Sequence, residues 1–280
     1  MEQVYYQGAT IVNEPFYESN NLMLSIEKWQ RIKPKLAAGF TTRNGGYSSG
    51  PFESFNLGLH VPDKYDDVLA NRTKLAETLS IPLEKWISGE QIHETGIYFA
   101  GESDAGKGAA SYDTSLKGID GLITREAGIL CTAFYADCVP LFFFDPVTEY
   151  IGIAHAGWKG TVNRIAGQMI RRYLDVGANL KDILVVIGPS ISKAQYEVDE
   201  KVIQHIDESN QEKVVEKNGN NRFLLDLKQL NAEILLQQGI LRHNIDITNY
   251  CTFTDEHLFF SHRRDRGKTG RMLGYIGYKM

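Results

Sequence analysis

The run Val139 to Phe144 (VPLFFF), followed from Tyr150 by a second apolar run (YIGIA), constrains the fold more than any other part of the chain. Runs this short, rich in aromatic and branched side chains, read as buried strands. Between them lies DPVT. Asp145 can bond the backbone ahead of it, and Pro146 presets φ for the first central position of a tight turn. With Pro146 and Val147 as a two-residue loop, Asp145 faces Thr148, Phe144 faces Glu149, and Cys138 faces His155. Opposed residues of an antiparallel ladder share a face, with Cβ atoms roughly 5 Å apart. A thiolate and an imidazole at that spacing suit one zinc ion, with Zn–S about 2.3 Å and Zn–N about 2.0 Å. Pro140 hints at an edge or a bulge, which would slip the register by one and still leave the two groups neighbours. Two readings compete with a metal site. A cysteine and a histidine can be core residues, or Cys138 can be a nucleophile with His155 as base and Asp137 or another group orienting it.

At 280 residues, 42% hydrophobic and 23% charged, the chain can bury a large core, as one domain or two tightly packed halves. A net charge of −5 and a pI near 5.8 argue against a general nucleic-acid binder. The first ten residues, MEQVYYQGAT, show no basic region followed by an apolar run, and no stretch reaches the roughly 18 apolar residues of a membrane span. Three cysteines, Cys131, Cys138 and Cys251, fit a reducing compartment better than a disulfide framework. The expectation is a soluble cytoplasmic protein with neither nucleic acid nor membrane as partner.

Helical spacing marks residues 64–81, 161–175 and 226–239, the last opening on a capping pair, Asp226 and Gln229, and closing at Gly239. A fourth helix is expected near 198–209. Strand signals fall at LAAGFTT, DGLITR, GILCTAF, DILVVIG, IDITNYC, HLFFSH and YIGY. Hairpins beside helices, without steady alternation, favour mixed sheets with helices packed outside. The small, polar stretch 101–118 reads as a lid or a surface insertion.

A catalytic zinc usually has three protein ligands and an open position. The third could be His93, in SGEQIHETG, or His262, in FFSHRRD; His60, His205, His243 and His257 are weaker candidates. Three clusters suggest an anionic substrate. Arg43 precedes the flexible Gly45–Gly46 pair in TTRNGG, an arrangement able to aim a guanidinium and backbone N–H groups at phosphate. Lys159 sits in AGWKGT at the start of a helix. Arg263 and Arg264 lead the basic run SHRRDRGKTGR, which as a charge run alone would be solvated surface. Neither AGWKGT nor GKTG has P-loop spacing.

Taken in order, TTRNGGYSSGPFESFNLGLHV, QIH, ADCVPLFFFDP, AHAGWKGTV, GPSISKAQYEV and SHRRDRGKTGR resemble the laccase-like domain family. Its members have been described as multicopper polyphenol oxidoreductases, peptidoglycan editing factors and zinc-containing purine nucleoside phosphorylases. The match spans roughly residues 30 to 280, so the chain reads as a single compact domain, 1–280, with a weakly matched extension at 1–30. One departure is HVPDK after Leu59, where the family pattern is more acidic. The resemblance implies an α/β (α+β) sandwich of mixed β-sheets with outer helices and a duplicated core. It implies His93, Cys138 and His155 as ligands of one Zn²⁺ per chain, with copper able to enter the site in vitro. It carries Arg43, Arg263 and Arg264 over as contacts to phosphate or nucleoside. The activity implied is zinc-dependent phosphorolysis of inosine- or adenosine-type nucleosides to base and ribose-1-phosphate. Adenosine deaminase and methylthioadenosine phosphorylase activities accompany it, with Asp137 as a candidate proton carrier and Arg43 acting near C1′. The partners are then purine nucleosides and inorganic phosphate. Two alternatives use the same residues: a hydrolase editing peptidoglycan precursors, and a copper-dependent polyphenol oxidase. Multicopper oxidases need closely spaced histidine pairs, whereas this chain has seven histidines and no HxH.

Overall fold

Alternation along the strands decides which layer each side chain meets. A computed structural model of the protein describes residues 14–280. The leader reading rests on residues 1–10, which lie outside the described residues. Strand Val139–Phe144 is interior to a six-stranded sheet, antiparallel to both Leu184–Ile187 and Ile151–Ala156. Beyond Ile151–Ala156 come Gly121–Thr124 and Ile97–Phe99; Ile245–Ile247 forms the other edge, and both edge strands run parallel to their neighbours. A second six-stranded sheet runs Tyr17–Asn20, Met23–Ser25, Leu36–Thr41, Met272–Tyr278, Leu130–Tyr135, Trp86–Ser88, with only the last pair parallel. The weakly matched extension thus supplies two strands to this sheet. Strands Glu197–Asp199, Arg222–Leu225 and Val215–Lys217 form a small third sheet.

Phe142, Phe144, Ile151 and Ile153 point between the two large sheets, against Ala38, Phe40, Tyr135 and Ile276. Their neighbours Leu141, Phe143, Ala154 and Ala156 point the other way, onto helices Ile165–Asp175 and Leu227–Gln237. On the far side of the second sheet, Leu130, Phe134 and Leu273 pack on helix Tyr65–Leu79 through Leu75 and Leu79. The order of layers is helix, sheet, sheet, helix, a sandwich of mixed sheets with outer helices. Burial on both faces is why the 139–144 run contains no polar residue. No helix among the described residues is long and apolar enough to cross a membrane.

Several local expectations need correction. The hairpin loop is longer than two residues: Phe144 faces Ile151, and Pro140, not Cys138, faces His155. The Asp145 carboxylate accepts from Val147 N and Thr148 Oγ1, and Glu149 takes a left-handed φ of 63°, which widens the turn. Pro140 makes no bulge, because its carbonyl accepts from Gly188 N at 2.8 Å and its missing donor interrupts only the end of the ladder. The 161–175 helix is broken into Trp158–Val162 and Ile165–Asp175 by Arg164, left-handed at φ 64° and bonded to Asp207 and Gln237. In 198–209, pairing of Glu197–Asp199 with Arg222–Leu225 overrides helical spacing, leaving short helices Glu200–Ile203 and Glu208–Val214. HLFFSH is not a strand, since the Phe259 carbonyl bonds the Arg264 guanidinium instead of a sheet partner. The 101–118 stretch is pinned by Arg72, which is 1% exposed and donates to the carbonyls of Gly108 and Ala109.

Candidate metal centre

His155 shares its side of the strand with Ile151 and Ile153, and Cys138 shares its side with Phe142 and Phe144. Both therefore open between the sheets, at the end where the hairpin leaves the core. The register error of two residues preserves this parity, so the two side chains remain diagonal neighbours. Gly157 stands where a Cβ would lie 2.8 Å from His93 Cδ2 and 3.1 Å from Cys138 Sγ, so only glycine leaves both ligands their room.

His93 arrives from a different direction, on the loop after strand Trp86–Ser88. Gln91 ties that loop to the second sheet: its Nε2 donates to Phe134 O at 2.9 Å and its Oε1 accepts from Phe134 N at 2.8 Å. Gln91 and His93 both hold positive φ, 58° and 65°, a costly conformation for side-chain-bearing residues. Asp120 holds them there. Its carboxylate accepts from the backbone N–H groups of Ile92, His93 and Glu94 at 3.0–3.1 Å. The same carboxylate lies 2.8 Å from His155 Nδ1, which turns Nε2 of that ring toward the cleft.

The ligand atoms of His93, Cys138 and His155 lie within 4.8 Å of one another, and Cys138 Sγ to His93 Nε2 is 3.9 Å. Tetrahedral zinc would set sulfur–nitrogen separations near roughly 3.5 Å, so the donor set and its spacing fit the ion. No other trio of this kind occurs among the described residues. Burial would raise the Cys138 thiol, but the facing His155 and the hydrogen bonds of both histidines outweigh it and bring the pKa down to about 6. Burial would lower His155, yet the Cys138 thiolate and Asp120 raise it to about 9. Without metal the pair is a thiolate facing an imidazolium.

The cleft above these atoms has a volume near 450 Å³. His60, Tyr112, Phe134, Trp158 and Tyr196 supply aromatic walls, and Arg263 and Arg271 supply cations. Of Arg43, Lys159, Arg263 and Arg264, Arg263 lines it, stacked over Tyr196 and donating to Glu197 O. Arg43 does not: its Nε and Nη2 donate to Glu53 O, its Nη1 to Glu256 O, and it stacks on Phe260. Arg264 spends its donors on the Thr252, Phe253 and Phe259 carbonyls and on Asp265. Lys159 is exposed, with Nζ over Trp158 and outside the lining. Asp137 lines the cleft at a φ of 88°, but its oxygens accept from Thr252 Oγ1 and Arg263 N, both at 2.7 Å. The carboxylate that orients His155 is Asp120. Sequence reasoning passed over Asp120 and the aromatic walls, and set Arg271 only among the charges of the basic run. Asp120 becomes visible only once Gly121–Thr124 is paired with Ile151–Ala156, which sets it opposite His155.

Fold and site together define a mixed-sheet α/β protein with one three-ligand metal-type centre in an aromatic cleft. Residues 37–279 match the family model described as "Multi-copper polyphenol oxidoreductase laccase", and the chain belongs to that family. It is 42% identical over 271 residues to a protein named purine nucleoside phosphorylase YlmD from Bacillus subtilis, covering 95% of this chain and 98% of that one. Among solved structures, a hypothetical protein YfiH from Bacillus licheniformis superposes with a TM-score of 0.92 at 43% identity, covering 95% of this chain and 99% of that one. YlmD from Geobacillus stearothermophilus gives 0.90 at 39%, covering 96% and 100%.

Proposed function

We propose that the protein is a zinc-dependent purine nucleoside phosphorylase acting in the cytoplasm on inosine- and adenosine-type nucleosides. The observation that carries this reading is the His93–Cys138–His155 trio at the base of a cleft with aromatic walls and two arginines. The names of its relatives support the same substrate class. When bound, zinc supplies Lewis-acid polarisation and lowers the pKa of coordinated water, which also suits adenosine deamination; methylthioadenosine phosphorolysis would use the same cleft. The chain's own residues do the rest. Tyr112 and Tyr196 offer rings for a purine, whose stacking is geometrically selective. Arg263 presents charge to phosphate or ribose hydroxyls, and Asp137 fixes the backbone of Arg263. Asp137 remains the candidate proton carrier, with a carboxylate already engaged by two donors. Arg264, by binding three carbonyls, shapes the loop that delivers Arg263. Arg43 and Lys159 stand outside the cleft, and their part is indirect.

Purified protein of measured zinc content tests this with inosine. Hypoxanthine released only with phosphate, together with ribose-1-phosphate, is the expected result. No release from protein carrying one zinc per chain would overturn it and favour amide hydrolysis of a peptidoglycan precursor by the same ligands. Catechol oxidation that rises with added copper would instead support the oxidase reading.

A further inference from the structure

We propose that Arg271 is the principal oxyanion-binding residue of the cleft and that its ligand is inorganic phosphate. This rests on the phosphorylase reading above. Free donors and burial together separate the arginines. Arg43 and Arg264 have Nε and both Nη atoms committed to protein acceptors, and Arg72 is buried with all three nitrogens on carbonyls. Arg271 differs. Its Nη1 donates to the Thr269 and Gly270 carbonyls at 2.9 and 3.0 Å, which fixes the guanidinium plane. Among the described residues, its Nε and Nη2 donate to no protein group, and the side chain lines the cleft. Its backbone is clamped on both sides, with N donating to Asn56 Oδ1 at 2.8 Å and O accepting from Leu57 N at 3.1 Å.

The side-chain stem runs through a slot that glycine keeps open: a Cβ on Gly58 would sit 2.7 Å from Arg271 Cγ. A half-buried guanidinium with a fixed plane and a free two-donor edge matches a tetrahedral oxyanion, and leaving such donors desolvated and unfilled is unfavourable. Burial and the charges of Arg271 and Arg72 push His60 down to about 3. At neutral pH its imidazole is uncharged, able to donate one N–H beside the anion without adding a competing cation.

The test uses the full-length zinc-loaded protein and its Arg271→Gln, Arg271→Lys and Gly58→Ala variants. Phosphate KM is read from inosine phosphorolysis, and phosphate binding is read separately by calorimetry. The expected result is a phosphate KM raised about ten- to a hundredfold in Arg271→Gln, with inosine KM within about twofold and zinc content unchanged. Arg271→Lys, a point charge without the fork, should fall between, and Gly58→Ala should reproduce part of the loss without altering charge. An unchanged phosphate KM in folded Arg271→Gln would overturn the proposal while leaving the phosphorylase reading intact. If that variant does not fold, unchanged values in both Arg271→Lys and Gly58→Ala would overturn it equally. A wild-type protein that releases no base yet binds inorganic phosphate through Arg271 would sustain the site and sink the phosphorylase reading. Arg271-dependent binding of a nucleoside 5′-monophosphate but not of inorganic phosphate would overturn the assignment to free phosphate. Loss of zinc rather than phosphate in Arg271→Gln would identify Arg271 as a counter-charge for Cys138 and also overturn it.

Discussion

The loops at 42–46 and 91–94 both carry a motif that sequence reading singled out, and they spend their polar groups in opposite ways. In the first, the Arg43 side chain satisfies backbone: all three of its guanidinium nitrogens close onto the Glu53 and Glu256 carbonyls, and the group lies outside the cleft. In the second, a buried side chain from elsewhere satisfies the backbone. Asp120 takes the three N–H groups of residues 92–94, and the His93 ring is free to face Cys138. A loop supported from behind can present its side chain, whereas a loop supported by its own side chain cannot.

Cys138→Ala tests the supported side of this contrast most severely. It should abolish both zinc binding and phosphorolysis, measured as bound metal and hypoxanthine release; turnover retained at zero zinc would end the metal reading. Next comes Asp120→Asn, which keeps the shape but turns one acceptor into a donor. Zinc affinity should fall about ten- to a hundredfold, read by chelator competition, with fold retained by circular dichroism. If affinity holds, the support from behind is dispensable. For Arg43→Gln the contrast predicts a different outcome: a loss of about 1–3 kcal/mol in unfolding free energy from carbonyls left without partners, with phosphate KM within about twofold. A large rise in phosphate KM would return Arg43 to the site.

The last prediction concerns pH. In the metal-free protein, Cys138 titrates near 6 and His155 near 9, so between these values the pair holds one proton, on His155. Zinc must displace that proton, so its affinity should rise with pH across this window, by about tenfold per pH unit. Competition with a chelator between pH 6.5 and 8.5 reads the slope, and a flat profile would show that the proton is not there.

What was legible in the sequence follows the same division. The closeness of Cys138 and His155 could be read because strand parity is insensitive to a slip of two, so a hairpin loop guessed too short still set them on one face. Buried strands and the helices at 65–79 and 227–237 were legible from periodicity, and the Asp226 cap from its local spacing. The choice of His93 over His262 came from family resemblance, because their local chemistry is alike. Asp120 was not legible: its role depends on pairing two strands some thirty residues apart in the chain, which no local pattern announces. That Arg43 and Arg264 lie outside the cleft was not legible for a related reason. Composition counts charges, but a guanidinium's role depends on which acceptors the fold leaves within reach: the Glu53 and Glu256 carbonyls for Arg43, and those of Thr252 and Phe259 for Arg264.

The most direct test of the central claim is to titrate zinc into metal-free protein while following phosphate-dependent release of hypoxanthine from inosine. Activity should rise linearly and break at one equivalent per chain, with no response in Cys138→Ala. Full activity before any metal is added, or a break that persists without Cys138, would contradict the account.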